Sequence, residues 1–261
     1  MELNRIYQED CLDTMKRMED ESIDFIMTSP PYDNLRNYNG YSFDFEKISK
    51  ELFRILKKGG VLIWVVGDAT IKGSETLTSF KQAIYFKEAV GFNVHDTMLY
   101  YKKNPMPQTG KRYNQMFEYM FCLSKGQPKT FNPITVPCAA PKGMVMMKNR
   151  GKDGKLEYKK VARKPTKKVG NVFEYTIGGG QSSKDKIAFQ HPAIFPEKLV
   201  EDQIITWTNE GDIVYDPFMG SGTTAKVASL TNRKWIGSEL SKEYMAIALE
   251  RLKENNIKVD D

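Results

Sequence analysis

Short apolar segments alternate with amphipathic segments along most of the chain. The unbroken apolar run at residues 61–66 predicts a strand that is buried on both faces. Residues 45–56 predict an amphipathic helix that ends at the cationic, glycine-containing sequence of residues 57–60. Because such strands and helices follow one another, the pattern predicts an α/β fold built on a mostly parallel sheet.

The pattern predicts seven strands, five before residue 125 and two after residue 190. The strands are predicted at residues 5–7, 23–27, 61–66, 94–101, 117–123, 213–215 and 235–237. The helices are predicted at residues 11–18, 45–56, 77–90, 195–207, 223–230 and 242–255. Residues 125–190 show no sustained period, so we expect an irregular insertion there. The expected organisation is a first half at 1–124, the insertion at 125–190 and a second half at 191–261.

Composition adds a basic balance to this picture. The 261 residues carry a formal net charge of +6, with a pI of about 9.0, which favours a polyanionic partner without requiring one. Cys11, Cys122 and Cys138 are too few and too scattered for a disulfide framework or a zinc site, so we expect no metal. The chain begins without the apolar run of a signal peptide and has no run long enough to span a bilayer. We therefore expect a cytoplasmic protein without membrane contact.

A glycine-containing loop at residues 216–224, DPFMGSGTT, lies between a predicted strand and a predicted helix. Glycines let a backbone turn tightly and approach a ligand, and the N–H groups at a helix start favour an anionic group. Glu239 ends the next strand, where a carboxylate accepts hydrogen bonds from ribose hydroxyls. Asp10 also follows a strand and is expected at the same edge of the sheet. The spacing alone is equally compatible with another kind of nucleotide-binding turn.

A second turn, Ser29-Pro30-Pro31-Tyr32, follows the apolar strand at residues 23–27. Two prolines make the backbone rigid and remove two N–H donors, which leaves carbonyl oxygens available as acceptors. Ser29 Oγ and the Pro30 carbonyl are candidate acceptors for an amine, and Tyr32 offers an aromatic face for stacking. An isolated turn of this kind is more often structural, with a core tyrosine. Its combination with the glycine-containing loop favours the catalytic interpretation.

Together the two motifs, SPPY and DPF-x-GSGTT, resemble those of β-group S-adenosylmethionine-dependent DNA amino-methyltransferases, in the order typical of that group. The resemblance implies a seven-stranded Rossmann-like sheet with circularly permuted motif order, as in restriction-modification enzymes. It also implies base flipping, with Ser29, Pro30, Pro31 and Tyr32 at the catalytic site. By the same resemblance, S-adenosylmethionine contacts Asp10, Asp216, Phe218, Gly220, Ser221, Gly222, Thr223, Glu239, His191 and Pro192.

The SPPY form of the motif is typical of members that methylate cytosine N4, whereas DPPY and NPPY are typical of adenine-N6 members. Cytosine N4 is therefore the preferred target, and adenine N6 is the alternative. A methyltransferase acting on RNA or on a protein glutamine is disfavoured, because those relatives typically carry NPPY and place the cofactor motif first. A DNA-binding protein that has lost catalysis is the remaining alternative, and both motifs look intact.

The predicted insertion is strongly basic between residues 142 and 168, with eleven Lys and Arg against Asp153 and Glu157. Most charge runs are solvated loops. The family places target recognition at this point of the chain, so we favour contact with double-stranded DNA. The candidate DNA-binding residues are Arg36, Lys111, Arg112, Lys148, Arg150, Lys159, Lys160 and Arg163. The sequence leaves open a homodimer and a separate cognate restriction endonuclease.

Overall fold

The computed structural model describes residues 1–31, 43–139 and 142–259. The α-helices are α1 (Cys11–Lys16), α2 (Phe45–Ile55), α3 (Thr78–Tyr85), α4 (Glu197–Trp207), α5 (Thr223–Leu230) and α6 (Lys242–Glu254), and α3 continues as a π-helical turn at Phe86–Val90. The strands are β1 (Arg5–Tyr7), β2 (Ile23–Thr28), β3 (Leu56–Val66), β4 (Thr70–Ile71), β5 (Ser74–Glu75), β6 (Asn93–Lys102), β7 (Phe117–Ser124), β8 (Thr135–Pro137), β9 (Met144–Arg150), β10 (Leu156–Ala162), β11 (Thr166–Lys168), β12 (Val172–Tyr175), β13 (Ile213–Asp216) and β14 (Lys234–Ser238).

Eight of these strands form the central sheet, in the order β1-β14-β13-β2-β3-β7-β6-β12. The first five in this order pair in parallel, and β7 runs antiparallel to both of its neighbours. The carboxyl ends of the parallel strands therefore lie at one edge of the sheet, together with the end of β6 and the start of β7. This edge is where ligands bind in open α/β sheets.

Alternating side chains of the sheet fill two hydrophobic clusters, one on each face. Met27 and Tyr100 belong to the first cluster, which also takes in apolar residues of α4, α5 and α6. Trp64 belongs to the second cluster, which is covered by α1 and α2. Because helices cover both faces, the central strands consist of nearly continuous apolar residues, as the run at 61–66 predicted.

The eighth strand, β12, was missed by the sequence pattern, which predicted seven strands. It pairs in parallel with β6 at the end of the sheet. Its four residues do alternate, since Val172 and Glu174 are exposed while Tyr175 is buried. Four alternating positions next to Lys- and Gly-rich sequence are too few to be distinguished from a loop.

Helix α2 ends earlier than predicted, and β3 begins at Leu56, so that residues 57–60 belong to the strand and not to a helix cap. The pairing of β3 with β2 shifts register between Ile23 and Phe25. Gly59 has a φ of 81° at this irregularity, and its N–H donates to the carbonyl of Lys125. The two glycines therefore serve a bulge at the start of a buried strand.

Contacts within the chain define two units, one formed by residues 1–132 with 171–261 and one formed by residues 133–170. The smaller unit was predicted to be irregular, but it contains the β9–β10 hairpin and the antiparallel pair β8–β11. Both strands of the hairpin carry basic side chains and are almost entirely exposed. Without a buried face they lack the apolar alternation from which strands are predicted.

Candidate active site

A cavity of about 1100 Å³ opens at the carboxyl edge of the central sheet. It brings together residues from segments that are far apart in the sequence, including Asp10 after β1, Ser29 after β2, Asp216 at the end of β13 and Glu239 after β14. The cavity lining contains these predicted site residues: Asp10, Ser29, Pro30, Pro31, His191, Pro192, Asp216, Phe218, Gly220, Ser221, Thr223 and Glu239. Gly222 is not part of the lining.

Asp216 anchors the glycine-containing loop from within the core. Its carboxylate accepts hydrogen bonds from Thr28 Oγ1 at 2.7 Å, Thr224 Oγ1 at 2.7 Å and the Phe218 N–H at 3.0 Å. Burial raises the pKa of the Asp216 carboxyl above its ordinary value, although these three hydrogen bonds favour the ionised form. The bond to Thr28 ties the loop directly to the end of the strand that leads into the SPPY turn.

Two glycines let this loop pass close to its neighbours. Gly220 has a φ of 53°, and a Cβ at this position would lie 3.0 Å from His191 Nε2. Gly222 has a φ of 77°, and a Cβ there would lie 3.0 Å from the Cβ of Ala248 on α6. Gly220 therefore keeps the cavity wall open, whereas Gly222 lets the start of α5 pack against α6.

Glu239 connects the loop with the next strand. Its Oε2 accepts from the Gly220 N–H and its Oε1 from the Ser241 N–H, both at 2.8 Å. Burial raises the pKa of the Glu239 carboxyl above its ordinary value, and the backbone donors oppose that shift. Asp10 lies on the far side of the same edge, where its Oδ1 caps α1 by accepting from the Leu12 N–H at 2.8 Å.

His191 and Pro192 form another wall of the cavity. The His191 ring meets the ring of Tyr244 edge-on, with centroids 4.3 Å apart. On its other side, Nδ1 lies 3.1 Å from the Ala193 N–H, which donates to it. The imidazole is thus fixed between the chain before α4 and the first turn of α6, facing Gly220.

Ser29, Pro30 and Pro31 follow β2 and open into the same cavity as the glycine-containing loop. The turn and the loop lie close together because β2 and β13 are neighbouring parallel strands. Tyr32 and Arg36, predicted as the stacking residue and a DNA contact, lie outside the described residues.

The sequence interpretation missed a cluster of four charged residues behind the loop, in which two cations are buried and two carboxylates are partly buried. Lys226 Nζ contacts Asp185 Oδ2 at 2.7 Å and Glu197 Oε1 at 3.0 Å, and Arg251 pairs with both carboxylates at 2.7 and 2.8 Å. Burial raises the pKa of Asp185, but the hydrogen bonds from Lys226 and Arg251 outweigh it and bring that pKa down to about 2. The four charges sum to zero.

Arg251 connects this cluster with the glycine-containing loop through hydrogen bonds. Its side chain is fully buried, and Nη1 donates to the Ser221 carbonyl at 3.0 Å and to Thr223 Oγ1 at 2.8 Å. The sequence did hold a signal, since Arg251 shares the inward face of α6 with Ile247 and Leu252. A basic residue on an apolar helix face indicates a buried ionic partner.

The candidate DNA contacts fall into two groups. Arg112 is bound to the β4–β5 hairpin, through Glu75 at 3.2 Å and the Gly73 carbonyl at 2.7 Å, and Lys111 beside it is exposed. The other candidates that the structure describes are exposed in the smaller unit: Lys148, Arg150, Lys159, Lys160 and Arg163. In the β9–β10 register Lys148 lies opposite Tyr158, and their cation–π distance is 6.0 Å.

Among the residues that the structure describes, no three or more His, Cys, Asp or Glu side chains are grouped in a way that could hold a metal ion. In the same residues, no helix combines the length and the apolar character needed to cross a membrane.

Comparison with known proteins places these features in one family. Residues 23–250 match the family model of N6/N4 methyltransferases, described as DNA methylase. The orphan methyltransferase M.BamHII of Bacillus amyloliquefaciens is 55% identical over 249 residues, which cover 90% of each chain.

Solved structures agree in fold. The PvuII DNA methyltransferase, named cytosine-N4-specific, aligns with a TM-score of 0.71 at 24% identity over 97% of this chain and 87% of that chain. The complex of M1.HpyAVI with SAM aligns with a TM-score of 0.62 at 24% identity over 95% of this chain and 98% of that chain.

Proposed function

This chain belongs to the N6/N4 DNA methylase family and is an S-adenosylmethionine-dependent DNA methyltransferase, and from that premise we propose that it methylates the exocyclic N4 amine of cytosine in double-stranded DNA. One observation carries the proposal: Ser29 and Gly220 line the same cavity. A methyl acceptor beside the SPPY turn and a methyl donor on the glycine-containing loop therefore share one site.

The residues of the cavity fit the cofactor. Gly220 leaves space that any Cβ would restrict, and its φ of 53° disfavours other residues. Glu239 supplies a carboxylate for ribose hydroxyls, and Asp10 supplies one for the adenine amine. His191 and Pro192 lie against Gly220 and are assigned to the methionine end. When bound, S-adenosylmethionine supplies an activated methyl group on its sulfonium sulfur.

The protein's own part in the reaction is alignment and charge stabilisation. An amine conjugated with its ring is a poor nucleophile, and a hydrogen-bond acceptor on its N–H disperses the positive charge that develops during transfer. Ser29 Oγ and the Pro30 carbonyl are the assigned acceptors. The rigid Pro30-Pro31 turn holds them in place, and such positioning contributes up to about 7–11 kcal/mol in ideal cases.

The target base must leave the duplex, at a cost of a few kcal/mol. We assign the stacking face for the everted base to Tyr32, and the DNA affinity to the basic hairpin of the smaller unit. Eleven Lys and Arg against two acidic residues in residues 133–170 favour a phosphate backbone as the partner. Serine at position 29 favours cytosine N4, and adenine N6 remains the alternative within the family.

Two single variants separate catalysis from cofactor binding. We expect Tyr32→Ala and Ser29→Ala to lower methyl transfer to DNA by about 10- to 100-fold, because each removes a contact to the base. The affinity for S-adenosylmethionine should stay within about twofold. Transfer of tritiated methyl groups measures the first quantity and calorimetric titration the second. If both quantities fall in parallel in either variant, the role assigned to that residue is wrong.

A further inference from the structure

A pair of opposite charges faces the cavity on the side away from the glycine-containing loop. Lys102, the last residue of β6, binds Glu118 near the start of β7, and their side chains are 19% and 18% exposed. Both residues line the cavity that contains Ser29. Neither Lys102 nor Glu118 has a role in the proposed function described so far.

The sheet order places this pair beside the acceptor. Strand β2, which leads to Ser29, lies between the cofactor strands β13, β14 and β1 on one side and β3, β7 and β6 on the other. Only β3 separates β2 from β7, so their axes lie about 10 Å apart at the usual strand spacing. A base held at the SPPY turn with its amine toward the cofactor therefore extends its ring toward Lys102 and Glu118.

The pair also points to the correct face of the sheet. Tyr100 lies directly opposite Glu118, and Lys102 follows Tyr100 by two residues, so all three share one face. Tyr100 and Met27 belong to the same hydrophobic cluster, and Ser29 follows Met27 by two residues. The Lys102 ammonium lies 5.4 Å from the centroid of the Tyr100 ring, which limits its freedom to turn away.

The charges of the pair define what it binds. Glu118 neutralises Lys102, so the pair has little net attraction for a phosphate group. An ammonium has three N–H donors, and the pair with Glu118 uses one of them. A partly buried, neutralised ammonium suits an uncharged acceptor such as a carbonyl oxygen. Cytosine presents such an oxygen at O2, where adenine has only a C–H group.

We propose that Lys102, held in place by Glu118, donates a hydrogen bond to the O2 oxygen of the everted cytosine and thereby selects cytosine over adenine. This assignment rests on the proposed function. A site built to bond a polar group rejects an analogue that lacks it, because the partly buried ammonium then loses the hydrogen bond that the base would have accepted. Lys102 is thus a specificity-determining residue at the distal end of the base pocket.

The test combines a protein variant with a modified substrate. The target position is first mapped as the site of methylation in DNA. Duplexes then carry at this position either cytosine or a 2-aminopyridine C-nucleoside, which keeps the ring nitrogen and the amine but lacks O2. The kcat/KM of the wild-type protein should be about 10- to 100-fold lower on the analogue than on cytosine. On cytosine, the kcat/KM of Lys102→Met should be lower than that of the wild type by a similar factor. On the analogue, the kcat/KM of Lys102→Met should be close to that of the wild type, because the hydrogen bond from Lys102 to O2 is already absent.

The matched control is Lys103→Met, which removes the neighbouring lysine, half-exposed and paired with Glu174 at 3.2 Å. Its kcat/KM on cytosine should stay within about twofold of wild type. If Lys102 had a merely structural role, Lys102→Met would lower kcat/KM by the same factor on cytosine and on the analogue. The loss caused by the variant and the loss caused by the analogue would then multiply. This result would overturn the proposal. So would a wild-type rate that is unaffected by the analogue, a result that needs no variant to fold. Failure of the wild type to methylate any DNA would instead refute the proposed function.

Discussion

The Gly220→Val variant is expected to bind S-adenosylmethionine at least about 100-fold more weakly than the wild-type protein. Gly220 has a left-handed φ of 53°, which a β-branched residue adopts only with strain. Its Cβ would lie 3.0 Å from His191 Nε2, so the valine methyl groups would enter the cavity beside the loop. Calorimetric titration with the cofactor measures the loss.

The control for this variant is Gly179→Val. Gly179 is exposed, its φ lies outside the left-handed region, and a Cβ there would meet no atom within 4 Å. It should bind the cofactor like the wild-type protein. The melting temperature without cofactor must be recorded for both variants, because a folded Gly220→Val protein with normal affinity would refute the assignment of the loop.

The Arg251→Met variant is expected to lose about 3–5 kcal/mol of its free energy of unfolding, because it removes a fully buried cation and leaves two partly buried carboxylates with a single cation. Methionine is close in length to the arginine stem, but it donates no hydrogen bond. Asp185 and Glu197 would then share Lys226 alone, and the Ser221 carbonyl would lose its donor. Denaturant unfolding measures the stability, and cofactor titration should show a weaker affinity as well.

Two further variants serve as controls for this prediction. Lys253→Met alters an exposed residue on the same helix and should change the stability by no more than about 0.5 kcal/mol. The double variant Asp185→Asn with Arg251→Met restores a neutral cluster and should recover part of the loss. Equal stability of Arg251→Met and Lys253→Met, or a double variant less stable than Arg251→Met, would contradict the role given to the cluster.

The parts of the fold that the sequence predicted most clearly are those with a continuous apolar run or an apolar helix face. The run at residues 61–66 and the inward face of α6 each carry enough apolar positions to define an element. The strand β12 and the hairpin β9–β10 do not, because their pairing rests on backbone hydrogen bonds between short or exposed segments. Local patterns carry no information about such pairing partners.

The candidate site divides in the same way. Asp216 and Gly220 were identified because they belong to one contiguous motif, and the sheet order brings them beside Ser29. Lys102 pairs with Glu118 across 16 residues of the chain and Asp185 pairs with Arg251 across 66, so the sequence does not reveal which charges meet. No spacing rule along the chain could have joined these charged pairs before the sheet and helices were assembled.

The most direct test of the central claim is the nucleoside composition of DNA from a methylation-deficient bacterial host that expresses this chain. Enzymatic digestion followed by mass spectrometry should detect N4-methyldeoxycytidine, and the product should be absent when the host expresses Gly220→Val. N6-methyldeoxyadenosine as the only product would contradict the choice of base and the role of Lys102. DNA that contains neither modified nucleoside, while the folded protein is present and binds S-adenosylmethionine, would contradict the account as a whole.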